Sequence, residues 1–150
     1  MFGNVTSSDW PAMYNHINMS HVFVLDQDEA LDFYVNKLGL EVSADIDFGA
    51  MRWLTVRVPG DPSREILLEL PGPPSMDEES GRQTRELVTK GATGFTFGLT
   101  TDDCQKTFET LRDRGVEFTQ EPTQQPYGID CGARDPFGNH FRIVQMASAG

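Results

Sequence analysis

Alternating and helical patterns of apolar residues divide the chain into a series of elements that occurs twice. From Ile17 to Leu25 it reads INMSHVFVL, and alternation sets Met19, His21 and Phe23 on one face and Ser20, Val22 and Val24 on the other. A helix is predicted next. Asp26 is its N-cap, Asp28 and Glu29 suit the first turn, and Leu31, Tyr34, Val35 and Leu38 form an apolar stripe before Gly39 stops it. Three strand-like runs follow, LEVSADI, MRWLTVRV and REILLEL, with the last two joined by a turn of Pro59, Gly60, Asp61 and Pro62. The order then repeats. GFTFGLT is a strand with Phe95, Phe97 and Leu99 on one face. Asp102 is the expected cap of a helix carrying Phe108 and Leu111 and ending at Gly115. Further strands are expected near 116–119, 127–133 and 139–146, the last after the turn DPFGN.

GLEV at 39–42 and GVEF at 115–118 both follow an amphipathic helix that begins near an aspartate. That echo predicts an α+β protein of two βαβββ modules with curved mixed sheets forming a cleft, at 17–70 and 93–146, within one structural domain. Residues 1–16 read as an irregular arm, with Trp10 and Tyr14 as anchors to the body or to a partner subunit. Residues 71–92, with PGPPS and a stretch suited to a short polar helix, read as a connector over the cleft. Open sheet edges in each half favour a homodimer.

Composition narrows the function classes. A chain of 150 residues can bury roughly 70% of its unfolded surface, so it needs no disulfide or structural metal to hold a core. The formal charge of −11 opposes binding to nucleic acid or to anionic membranes and suits a neutral or cationic small ligand. No apolar run approaches the roughly 20 residues of a membrane span, and no signal-peptide pattern is read at the start. Cys104 and Cys131 belong to no metal spacing and are expected as reduced thiols of a cytoplasmic protein. GATGFTFG precedes a strand rather than opening a helix, so it is no phosphate loop. No hydrolase nucleophile elbow is present either.

Four motifs stand in order across the two repeats: DQDEALDFYVNKLGLEV at 26–42, LLEL at 67–70, LRDRGVEF at 111–118 and DPFGNHFRIVQ at 135–145. Together they resemble the vicinal oxygen chelate superfamily, which includes glyoxalase I, bleomycin-resistance proteins, fosfomycin-resistance enzymes and extradiol dioxygenases. The resemblance covers about residues 17 to 146. It implies a cleft that, in metal-binding members, holds the ion with two residues from first strands, usually His, and two from last strands, usually Glu. Those positions fall here on Met19, Thr96, Glu69 and Arg142, so only Glu69 is retained. Methionine is a weak ligand for a hard ion, and arginine is no ligand at all. The expectation is therefore no metal, with an ion pair between Glu69 and Arg142 in its place. An alternative divalent-metal set is His21, Glu69 and His140, each two residues along its strand from, or at, a family position.

The expected ligand cleft comprises Met19, His21, Phe23, Trp53, Leu67, Glu69, Thr96, His140 and Arg142, with Tyr127 as a further aromatic wall. Glu69 is the candidate general base. Arg52 and Arg57 read as solvated sheet-face charges, and the loops at 71–92 and 120–130 as the shapers of the pocket. Three functions remain open. One is a metal-free protein binding a small cationic or aromatic molecule. Another is a lyase, isomerase or dioxygenase of the same superfamily. The last is an interaction module without chemistry.

Overall fold

The computed structural model describes residues 11–148. The expected anchor Trp10 lies outside them, and Tyr14 is exposed.

In the first half, β1 (Met19–Phe23) leads into α1 (Gln27–Leu31), then β2 (Glu41–Asp47), β3 (Arg52–Arg57) and β4 (Glu65–Glu69). In the second, β5 (Phe95–Thr100), α3 (Cys104–Asp113), β6 (Glu117–Gln125), β7 (Gly128–Arg134) and β8 (His140–Met146) repeat the order. Between them α2 (Glu78–Thr89) forms in the stretch expected to hold a short polar helix. The strands build two four-stranded sheets, ordered β1-β4-β3-β2 and β5-β8-β7-β6. Each combines one parallel pair, β1 with β4 or β5 with β8, with antiparallel neighbours.

Asp26 caps α1 by accepting from the Glu29 amide at 2.9 Å. The helix then widens into a π-helical segment, Asp32–Lys37. Of the expected stripe Tyr34 is fully buried and Leu31, Val35 and Leu38 pack partly buried against the core, while Ala30 and Phe33 join Tyr34 as the most buried side. The cap of α3 is Asp103, not Asp102, because Asp103 accepts from the Lys106 amide at 3.0 Å. Counted from the caps to the stops at Gly39 and Gly115, the first helix carries one residue more, and the π segment absorbs it.

Two expectations change in the second sheet. A register shift between Phe95 and Phe97 in β5 breaks the alternation, so Phe97 packs on the core while Phe95 is exposed. The segment 120–130 is not a pocket-shaping loop but the tip of the β6–β7 hairpin. Register shifts around Gln120 let this edge strand carry Pro122.

The helix-covered faces of both sheets merge into one core. Phe33, Tyr34, Phe97 and Phe141 meet in it, the last two rings stacked 4.9 Å apart. A buried polar clamp also joins the halves. Asp135 Oδ1 accepts from the amides of Phe137, Gly138 and Asn139, which fixes the DPFGN turn. Asn139 donates at 2.7 Å to the Phe23 carbonyl of β1, and the Tyr34 hydroxyl donates at 2.7 Å to Asp135. Gly138, at φ +118°, also lets α2 approach, since a Cβ there would lie 2.2 Å from the Val88 carbonyl.

Candidate functional site

The strand pleat sends Met19, His21, Phe23, Trp53, Leu67 and Glu69 to the face of the first sheet away from its helix. Leu67 is buried there, beside the fully buried Thr55 across the β3–β4 pair. His21 Nδ1 lies 3.2 Å from Glu69 Oε2, with the imidazole 52% and the carboxylate 14% exposed. The Phe23 ring meets the imidazole edge-on at 4.7 Å. The contact turns one imidazole nitrogen toward the carboxylate, and the ring is half exposed.

On the second sheet His140 and Arg142 share the corresponding open face. The Arg142 guanidinium donates to Asp130 and, at 2.9 Å, to Gln120. The Phe95 ring lies over it with 5.1 Å from guanidinium carbon to centroid. Gly132 lies beneath it, and a Cβ there would lie 2.6 Å from Arg142 Nη1, so a side chain at this position would push the guanidinium aside. Asp130 also accepts from the Tyr127 hydroxyl at 2.7 Å. Burial alone would raise the Asp130 pKa, but hydrogen bonds from Arg142 and Tyr127 hold it below the usual carboxylate range.

The expected Glu69–Arg142 ion pair therefore does not form within the chain. Glu69 is taken by His21 and Arg142 by Asp130. Met19 and Glu69 do not converge either, since Met19 pairs with Glu65 and Glu69 with Phe23, four strand positions apart, about 13 Å. Of the set His21, Glu69 and His140, only the first two meet. His140 Nε2 instead stands beside Gly91, past the end of α2. Among the described residues, no three His, Cys, Asp or Glu side chains gather closely enough to hold a metal ion. The donors at the family's metal positions do not suit a divalent ion, because one of them is a guanidinium already locked to a carboxylate.

Met19 and Thr96 line a different feature, a groove of about 480 Å³ where the first module meets β5. Its apolar lining includes Leu40, Ile66, Phe97 and Leu99, and its rim holds Arg57, Asp61, Arg64 and Glu65. Thr96 turns its hydroxyl back to the His140 carbonyl at 2.8 Å. A larger, shallow hollow of about 670 Å³ lies at the end of β8 between Thr100 and Met146, away from every expected site residue. The expected sheet-face charges are engaged: Arg52 with Asp28 and Asp45, Arg57 with Glu41. Sequence reasoning missed Asp130, Gln120 and Glu65. The last was within reach, because Glu65, Leu67 and Glu69 alternate onto one face in REILLEL.

Comparison with known proteins agrees with this architecture. The sequence profile of the Glyoxalase/Bleomycin resistance protein/Dioxygenase superfamily matches residues 14–143, and the chain belongs to that superfamily. Among solved structures, UcmS2 is 39% identical with a TM-score of 0.83, over 88% of this chain and 98% of that one. TnmS3, an antibiotic binding protein from Streptomyces sp. CB03234, is 28% identical with a TM-score of 0.72, over 91% and 100%. The uncharacterized protein YurT of Bacillus subtilis (strain 168) is 35% identical over 86% of this chain and 98% of its own length.

Proposed function

We propose that the protein is a small-molecule-binding member of the superfamily that works without a metal ion, taking an aromatic or cationic ligand. The observation that carries this reading is Arg142. It stands where metal-binding members of the superfamily place a carboxylate ligand, and its guanidinium is held by Asp130 and Gln120. The exposed Phe95 ring over that guanidinium, with Trp53 and Phe23 on the other sheet, offers aromatic contact surface. The likeness to an antibiotic binding protein supports a small-molecule ligand.

The reading includes a homodimer in the cytoplasm. Ile46, Phe48, Phe95 and Tyr127 are exposed, and the open faces of both sheets turn away from the shared core. A second copy against those faces would close the cleft. Neither nucleic acid nor membrane suits a chain of charge −11, and no described helix is long and apolar enough to cross a membrane.

The His21–Glu69 contact favours one second reading, a metal-independent lyase or isomerase with His21 as the proton-transfer group and Glu69 holding it.

The test is a thermal-shift screen of planar aromatic and cationic compounds, repeated after exhaustive chelation. A binder should raise the melting midpoint equally in both, because a ligand specific for the native state stabilises by mass action. Loss of the shift on chelation, restored by one divalent ion, would sink the metal-free reading. Consumption of a hit with retention in His21→Gln would remove the second reading and leave an enzyme of another kind.

A further inference from the structure

The two modules repeat one strand order, and among the described residues a polar clamp seals one end of their junction and not the other. At the sealed end the turn Asp135–Asn139 grips β1 and Tyr34, with Phe137 buried beneath it. The matching turn of the first module also opens with Asp-Pro, at Asp61 and Pro62, and Asp61 likewise accepts from a backbone amide two residues on. Its other positions have lost the means to seal. Ser63 stands where the second module has the buried Phe137, and Arg64, which like Asn139 directly precedes the last strand, is exposed. Counted from the caps Asp26 and Asp103, Leu111 replaces Tyr34 and offers no hydroxyl. The groove of about 480 Å³ lies at this unsealed end, between Asp61–Glu65 and β5. Its volume falls within the range of small-molecule pockets, about 300–1,000 Å³.

Glu65 is the built polar group of the groove. Its Oε2 accepts from the Ser43 hydroxyl at 2.5 Å and from Thr55, a fully buried residue, at 3.4 Å. Both donors are neutral, and among the described residues no cation lies within ion-pair distance of this carboxylate. Arg57 is engaged by Glu41 at 2.9 Å, and Arg64 is exposed. The carboxylate is thus oriented by neutral donors and free of a direct ion pair among the described residues, beside walls made by Met19, Ile66, Phe97 and Leu99.

We propose that this groove is a binding site for a hydrophobic primary amine, its ammonium group on Glu65 and its apolar body along β1 and β5. The inference rests on the small-molecule reading above and names a place and a ligand class for it. At Glu65 a charge-assisted hydrogen bond favours an ammonium over a hydroxyl and repels a carboxylate, while Arg57 is held by Glu41 and Arg64 is exposed.

Calorimetric titration with 4-phenylbutylamine, 4-phenylbutanol and 4-phenylbutyrate tests it. The amine should bind about tenfold or more tighter than the alcohol, and the butyrate weakest. Glu65→Gln retains an oxygen acceptor for Ser43 and Thr55 and should abolish the preference for the amine. Thr100→Trp, at an exposed groove position, should block all three compounds without lowering the melting midpoint. Equal binding of amine and alcohol, an unchanged preference in Glu65→Gln, or full binding in Thr100→Trp overturns the inference. If the amine fails while other compounds still raise the midpoint, the groove assignment falls and the small-molecule reading stands. If no compound in either panel binds, both fall.

Discussion

Arg142 shows how one residue type changes the chemistry a scaffold can carry. Its charge is permanent, so it needs a carboxylate, and Asp130 supplies one from the neighbouring strand. Asp130 is buried, and its contacts with Arg142, Tyr127 and Gln120 favour the ionised form. Its folded pKa therefore lies below its unfolded value. The stability this contributes is present above the unfolded carboxylate pKa of about 4 and is lost as pH falls through the lower folded value. Asp130→Asn should remove this acid-side dependence. Urea midpoints of wild type should drop more steeply than those of the variant from pH 5 to pH 3, and parallel curves would refute the assignment. The identity of Arg142 and its misfit to a metal were legible in the sequence. Its partner was not, because Glu69 was in view only as a family position, while Asp130 reaches Arg142 through a strand register that no local pattern reveals. The two thiols were legible as thiols: Cys104 and Cys131 are buried and 3.6 Å apart, and burial pushes Cys131 up to about 12.

At the scale of the element, apolar periodicity located every helix and strand that builds the sheets, and it failed at an added residue, at a displaced cap, and in β6, which runs on through the stretch expected as a loop. The π-helical segment absorbs an extra residue, a feature with no signature in an apolar stripe. The bulge in β5 turns Phe95 outward, against the alternation of FTFGLT. The start of α3 offers a sharp test, since two aspartates compete for the cap. Asp103 holds the Lys106 amide, whereas no hydrogen bond joins the Asp102 side chain to the helix among the described residues. Asp103→Ala should cost about 1 kcal/mol in equilibrium urea unfolding. Asp102→Ala should cost less than about 0.5 kcal/mol, as surface substitutions do. The reverse order would put the cap one residue earlier.

The whole molecule depends on how the repeats are joined. The motifs that made the superfamily readable are, in this chain, largely the residues of the joint: Tyr34 from the first helix, Asp135 and Asn139 from the last turn. Sequence could identify them because they sit in local, ordered strings. It could not show that they touch, since Asn139 and Phe23 are far apart in the chain and their contact exists only after both sheets form. The same asymmetry leaves the far end of the junction open at Glu65, where the first module has no clamp like that of Asn139. Asn139 is almost wholly buried, and its amide serves both the Phe23 carbonyl and Asp135. Replacing it with alanine leaves the Phe23 carbonyl without this donor and removes one of the donors to Asp135, which keeps the Tyr34 hydroxyl, at a cost of about 1–3 kcal/mol on the usual penalty for a buried unpaired group. Because both halves share one core and one clamp, that loss should be felt in both. Native-state hydrogen exchange measures it directly: the slowest amides of β3, in the first half, and of β8, in the second, should open with the same free energy in the wild type. Both should fall by the same amount in Asn139→Ala. A fall confined to β8 would mean that the halves open independently and that the clamp serves only its own module.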